Sequence, residues 1–140
     1  MQLIIRKASV RWKGKTGTVS TGSGVLKRVR FSLGFPLNNG SHTDSAELIA
    51  AAHASSFSSA LSKELGLKAL AAGEIITTAT VTLEHLATCW TIKNIHLNVV
   101  AKLRKVTQGV FIDATVRAKT NCLVSRSLRT NISMNAKLEK

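Results

Sequence analysis

Tyrosine is absent from this 140-residue chain, proline occurs once, at Pro36, and cysteine twice, at Cys89 and Cys122. Two cysteines cannot make a disulfide framework, so the fold must rest on an apolar core. A single domain of about this length buries roughly 68–70% of its unfolded surface, enough to do so without staples. No stretch approaches the roughly 18 apolar residues of a spanning helix, and no repeat of roughly 20 to 50 residues is visible, which excludes transmembrane-helix and solenoid readings. Negative charge is the scarcest commodity. Seven Asp and Glu face 20 Lys and Arg for a formal charge of +13, and the eight basic residues before Asp44 meet no acidic one. Such a field attracts anions. Arg6 and Lys7 follow only four apolar residues, which is not the pattern of a secretory leader, so a reducing cytoplasm is expected.

What is there organises by period. Ile4, Ala8, Val10 and Trp12 alternate with Lys7, Ser9, Arg11 and Lys13, predicting a half-buried strand over residues 4–13. Turns at Gly14 to Gly17 and at Gly22-Ser23-Gly24 separate it from the β-branched run Thr16 to Thr21 and from Val25 to Leu33, completing a three-strand meander with a basic outer face. Gly34 to His42 reads as a loop. Thr43 or Asp44, with Glu47 following, opens a helix that runs to about Leu65 without Gly or Pro. Its many Ala and Ser residues predict burial nearly all round, against a helix partner as well as a sheet. Ile75 to Leu83 alternates with Thr78, Thr80 and Thr82, and the run Trp90 to Leu103 changes parity between Ile92 and Ile95, as at a β-bulge. A helix over Thr107 to Asn121, a short one over Cys122 to Leu128 and a strand over Ile132 to Leu138 follow. The order βββ-α-ββ-α-β, read as antiparallel meanders without a βαβ rhythm, predicts one α+β domain over residues 1–140.

Few residues carry chemistry by spacing alone. Gly14-Lys15-Thr16-Gly17 has the form of a nucleic-acid-clamping GxxG loop, but it joins strands rather than helices, so a hairpin turn is the reading. Trp12 and Phe31 lie on apolar strand faces and offer no stacking platform. His42, His53, His85 and His96 never stand at metal-ligand spacing, so neither a metal nor a cofactor is expected. His53 and Ser56 stand three apart on one helix, within reach of a shared hydrogen bond, but without an elbow or oxyanion donor a hydrogen-bonded core histidine is the better reading. Cys122 would open a short helix whose free amides favour a thiolate, and a packed structural cysteine is the alternative. Cys89, at a hairpin end beside Trp90, reads as packing.

Gly17-Thr18-Val19-Ser20-Thr21 with Ser23-Gly24-Val25-Leu26, Glu47-Leu48-Ile49-Ala50-Ala51-Ala52-His53-Ala54, and Cys122-Leu123-Val124-Ser125 together resemble the OsmC branch of the OsmC/Ohr family, from about Trp12 to Leu138. The resemblance implies an intertwined homodimer in which antiparallel sheets wrap central long helices. It also implies a part in organic hydroperoxide defence: a peroxidatic thiolate attacks the O–O bond, becomes a sulfenic acid and is resolved as a disulfide, with an arginine and a glutamate holding the thiolate ready.

Position by position, the resemblance puts the resolving cysteine at Cys122 and the peroxidatic one at Ser56, with His53, Glu47 and Phe57 around the pocket. The family's Asn-Pro-Glu-Glu reads Asp44-Ser45-Ala46-Glu47, so the glutamate position holds Ala46, while Glu47 is about 100° further round the helix. The arginine position falls on Pro36 or Gly34. A serine has no sulfenic acid chemistry, so the expectation is a catalytically impaired member binding an apolar hydroperoxide or lipid-like ligand, with an external thiol reductant if any turnover remains. Two further readings stay open. One is a non-catalytic module that holds nucleic acid or a membrane surface through Arg6, Lys7, Arg11, Lys13, Lys27, Arg28 and Arg30, against the plainer account of a solvated sheet face. The other is one-cysteine chemistry at Cys122 with an external thiol.

Overall fold

The computed structural model describes residues 2–14, 16–31, 40–66 and 73–139, and the chain divides into two compact units, one up to Leu48 and one from Ile49. The first holds a three-stranded antiparallel sheet, β1 (Ala8–Lys13), β2 (Thr16–Thr21) and β3 (Val29–Phe31). Period-two alternation sorts its side chains. Ser9 stands opposite Ser20 and Arg11 opposite Thr18, while Trp12, Gly17 and Phe31 form one row on the other face. That row explains Gly17: a Cβ there would meet Trp12 Cε3 at 2.7 Å, because the indole lies across the glycine to reach the edge of Phe31, ring centroids 6.2 Å apart. The first and third strands are shorter than expected. Gly24 and Arg28 take positive φ (78° and 52°), which interrupts the extended run that begins at Val25.

Helix α1 (Ser45–Glu64) starts in this unit and continues into the second. Asp44 Oδ1 accepts the Glu47 amide at 2.8 Å, and the Thr43 hydroxyl donates to Glu47 Oε1 at 2.9 Å. Such a side-chain cap stabilises a helix by about 1 kcal/mol. Within the single chain His53, Phe57 and Leu61, four residues apart, form one buried stripe, while Ala51, Ala52, Ser55 and Ser59 are exposed on the faces expected to meet a partner helix.

The second unit builds its core on a hairpin of β4 (Glu74–Leu86) and β5 (Cys89–Lys102). The parity change is a bulge: Thr82 pairs with Asn94 and Leu83 with Ile92, leaving Lys93 over, and beyond it Ile95, Leu97, Val99 and Ala101 all point inward. Helix α2 (Gln108–Asn121) buries Phe111, Ala114, Thr115 and Ala118, a helical stripe capped at its start by Thr107. Helix α3 (Leu123–Ser127) and β6 (Asn131–Glu139) follow. The class is α+β as expected, but this sheet is mixed, because β6 lies parallel to β5. The stretch from residue 103 to 130 is long enough to carry the chain back to the starting end of the sheet, so the last part is a βαβ crossover that the meander reading missed. Among the described residues no helix is long and apolar enough to cross a membrane.

Candidate thiol site

Helix α2 ends at Asn121, as expected, because Cys122 leaves helical geometry, with φ −67° and ψ 147°. The same residue is the N-cap of α3, where its Sγ accepts the Ser125 amide at 3.4 Å. Cys122 therefore serves two helices at once and is buried. Its thiol donates to Ser125 Oγ at 3.0 Å, and that oxygen lies 2.8 Å from His53 Nε2 on α1.

Ser125 Oγ has one proton and two lone pairs, so it can take the thiol proton's bond and still either accept from or donate to His53 Nε2, as the ring tautomer sets. Burial pushes the His53 pKa down from its ordinary value, which keeps the ring uncharged at neutral pH. His53 is fully buried and its Nδ1 has no hydrogen-bond partner among the described residues. An unsatisfied buried polar atom costs about 1–3 kcal/mol, which the surrounding core must offset.

The Ser56 hydroxyl reaches the same place, accepting the Val124 amide at 3.4 Å. The structure thus brings His53, Ser56 and Cys122 together around the start of α3. His53 and Ser56 do not bond each other, as their spacing had suggested; each reaches across to α3 instead. Phe57 is fully buried in the core beside them. Glu47 is exposed in the first turn of α1, held by Thr43. Ala46, also in that turn, offers no carboxylate, and Pro36 and Gly34 lie outside the described residues. Cys89 is exposed at the start of β5 rather than packed, because its strand end lies beyond the buried stretch of the sheet. Ser125 is the residue that sequence reasoning left without a role. Its place three after Cys122 was a signal, the N-cap to N3 spacing, but nothing local foretells His53 as its other partner.

A buried thiol, a hydroxyl and an imidazole joined by hydrogen bonds at a helix cap, on a mixed α+β fold, define a protein built around one protected cysteine. The chain belongs to the OsmC family: the family model for OsmC-like proteins matches residues 38–137, and Peroxiredoxin OsmC of Escherichia coli is 33% identical over 140 residues, covering 97% of this chain and 98% of that protein. Among solved structures, an organic hydroperoxide resistance protein OsmC from Legionella pneumophila aligns over all of both chains with a TM-score of 0.70 at 20% identity. An OsmC-like protein from Mycoplasma pneumoniae reaches a TM-score of 0.79 at 9% identity, covering 98% of this chain and 99% of that one. At such identities these structures speak for the fold.

Proposed function

We propose that this chain is a cytoplasmic, single-domain, homodimeric member of the organic hydroperoxide and oxidative-stress defence family whose own two-cysteine peroxidase cycle is interrupted at Ser56. The observation that carries the reading is the convergence of residues 56 and 122 on one turn, residues 122–125, with sulfur on only one side. In the family cycle a thiolate at the first position attacks the O–O bond, releases the alcohol as a sulfenic acid forms, and condenses with the second thiol to a disulfide and water. A serine hydroxyl stays protonated at neutral pH and cannot be oxidised reversibly, so Cys122 is a resolving thiol with nothing to resolve. The ligand class that fits is an apolar hydroperoxide or lipid-like molecule. Homodimer formation is supported by Val10 and Trp12, 51% and 44% exposed on one face of β1, which a second copy would cover.

The test is consumption of cumene hydroperoxide by reduced protein with a dithiol. Wild type and Ser56→Ala are expected to be equally slow, whereas Ser56→Cys forms an internal disulfide with Cys122 on oxidation, seen by intact mass. Fast turnover that survives Ser56→Ala would show the site to be misplaced.

The Cys122–Ser125–His53 hydrogen-bond chain favours a second reading, one-cysteine chemistry. With the ring protonated on Nδ1, passing the Cys122 proton through Ser125 to His53 Nε2 would free a thiolate to attack the peroxide, with an external thiol reducing the sulfenic acid formed. Dimedone labelling of Cys122 after a hydroperoxide pulse, lost in His53→Gln, supports this reading; no label removes it.

A further inference from the structure

The first unit carries a feature independent of the thiol. Ser9, Arg11, Thr18, Ser20 and Arg28 line a concavity of about 380 Å³ on the sheet. The register explains why four of these share a face: Ser9 faces Ser20 and Arg11 faces Thr18. Arg28 lies one step before β3, outside the paired register. Its positive φ of 52° is held by its own amide, which donates to Ser20 Oγ at 2.9 Å. Ser20 Oγ accepts there and keeps its proton to donate into the hollow. The lining thus offers two guanidinium groups and three hydroxyls, and it has neither an aromatic nor an aliphatic residue.

Neither Arg11 nor Arg28 forms an ion pair with a carboxylate among the described residues, where Arg117 pairs with Glu64 and Lys137 with Glu139. The acids of the first unit, Asp44 and Glu47, are engaged at the start of α1. Planar guanidinium forks match phosphoryl oxygens, hydroxyls supply the remaining donors, and the volume falls within the roughly 300–1,000 Å³ of small-ligand sites.

We propose that this hollow is a binding site for a compact phosphorylated small molecule, gripped by Arg11 and Arg28 and oriented by Ser9, Thr18 and Ser20. A strand of nucleic acid is disfavoured by the lack of any stacking ring in the lining, and a lipid by the lack of any apolar floor.

Calorimetric titration of the full chain with inorganic pyrophosphate is expected to saturate, with amide NMR shifts centred on Thr18, Ser20 and Arg28. Arg11→Gln and Arg28→Gln each weaken binding about ten-fold or more, as loss of a charged hydrogen-bonding partner should. Arg104→Gln, on an exposed turn elsewhere, removes the same charge and leaves the affinity unchanged; circular dichroism confirms that all variants fold. Absence of saturation at millimolar pyrophosphate, or an equal loss in Arg104→Gln, overturns the site. So does displacement of pyrophosphate by single-stranded DNA or phosphatidylserine vesicles that bind more tightly and with a steep salt dependence, since the occupant would then be a polyanion surface.

Discussion

The two sheets have three strands each and opposite characters. In β1–β2–β3 the first strand is exposed along its whole length and every formal charge is positive. In β4–β5–β6 the middle strand buries Ile95, Leu97, Val99 and Ala101 under α1 and α2 residues. Equal strand number therefore does not mean equal duty. The second sheet owes its order to its own core, whereas the first leaves Val10 and Trp12 half exposed on one face of β1 and Arg11 exposed on the other.

The widest test of this contrast is Val10→Asp. It places a charge on the face assigned to a second copy, so sedimentation equilibrium should shift from dimer to monomer; an unchanged dimer means that another surface holds the copies together. Phe57→Ala comes next. Emptying a fully buried site in the second unit should cost about 3–5 kcal/mol in urea unfolding. A loss below about 1 kcal/mol would place the core elsewhere.

His53 gives a smaller, pH-dependent effect. Its folded pKa is depressed, so below about 6.5 the unfolded chain takes up a proton that the native ring refuses. Stability contributed by the neutral ring is complete above that pH and declines as pH falls from there towards the folded value. Melting temperatures between pH 7.5 and 5 should fall for wild type and fall less for His53→Gln; equal slopes would show that the ring titrates freely. Smallest is the cap. Cys122→Ala should lose about 0.5–2 kcal/mol, while Cys122→Ser, which keeps a capping atom, loses less. Equal losses would mean that burial of sulfur, and not capping, is what Cys122 contributes.

Most elements were legible because each has its own period or punctuation. The alternation of β4, the bulge near Lys93 and the helix from Thr107 to Asn121 are all local patterns. Parallel pairing of β6 was not legible, since Ile132, Met134, Ala136 and Leu138 alternate identically whichever way the strand runs. The even spread of alanine and serine along α1 concealed which face is covered, and only Phe57 and Leu61 hinted at it. At the site, Ser56 and Cys122 were placed by family likeness, and what brings Ser56 to the start of α3 is the Val124 amide, 68 positions away. The Ser125 to His53 bond spans 72 positions, a distance over which periodicity carries no information.

The crossover between β5 and β6 has a consequence for biogenesis. A parallel strand cannot dock until the whole return path has been made, and such long-range closure is slow. Cys122 sits on that path, so on a growing chain its sulfur is enclosed only as the crossover helices pack. The newborn protein thus passes through an interval in which both thiols, and not Cys89 alone, are open to oxidants. Stress that arrives during synthesis would mark molecules that the finished fold would have shielded.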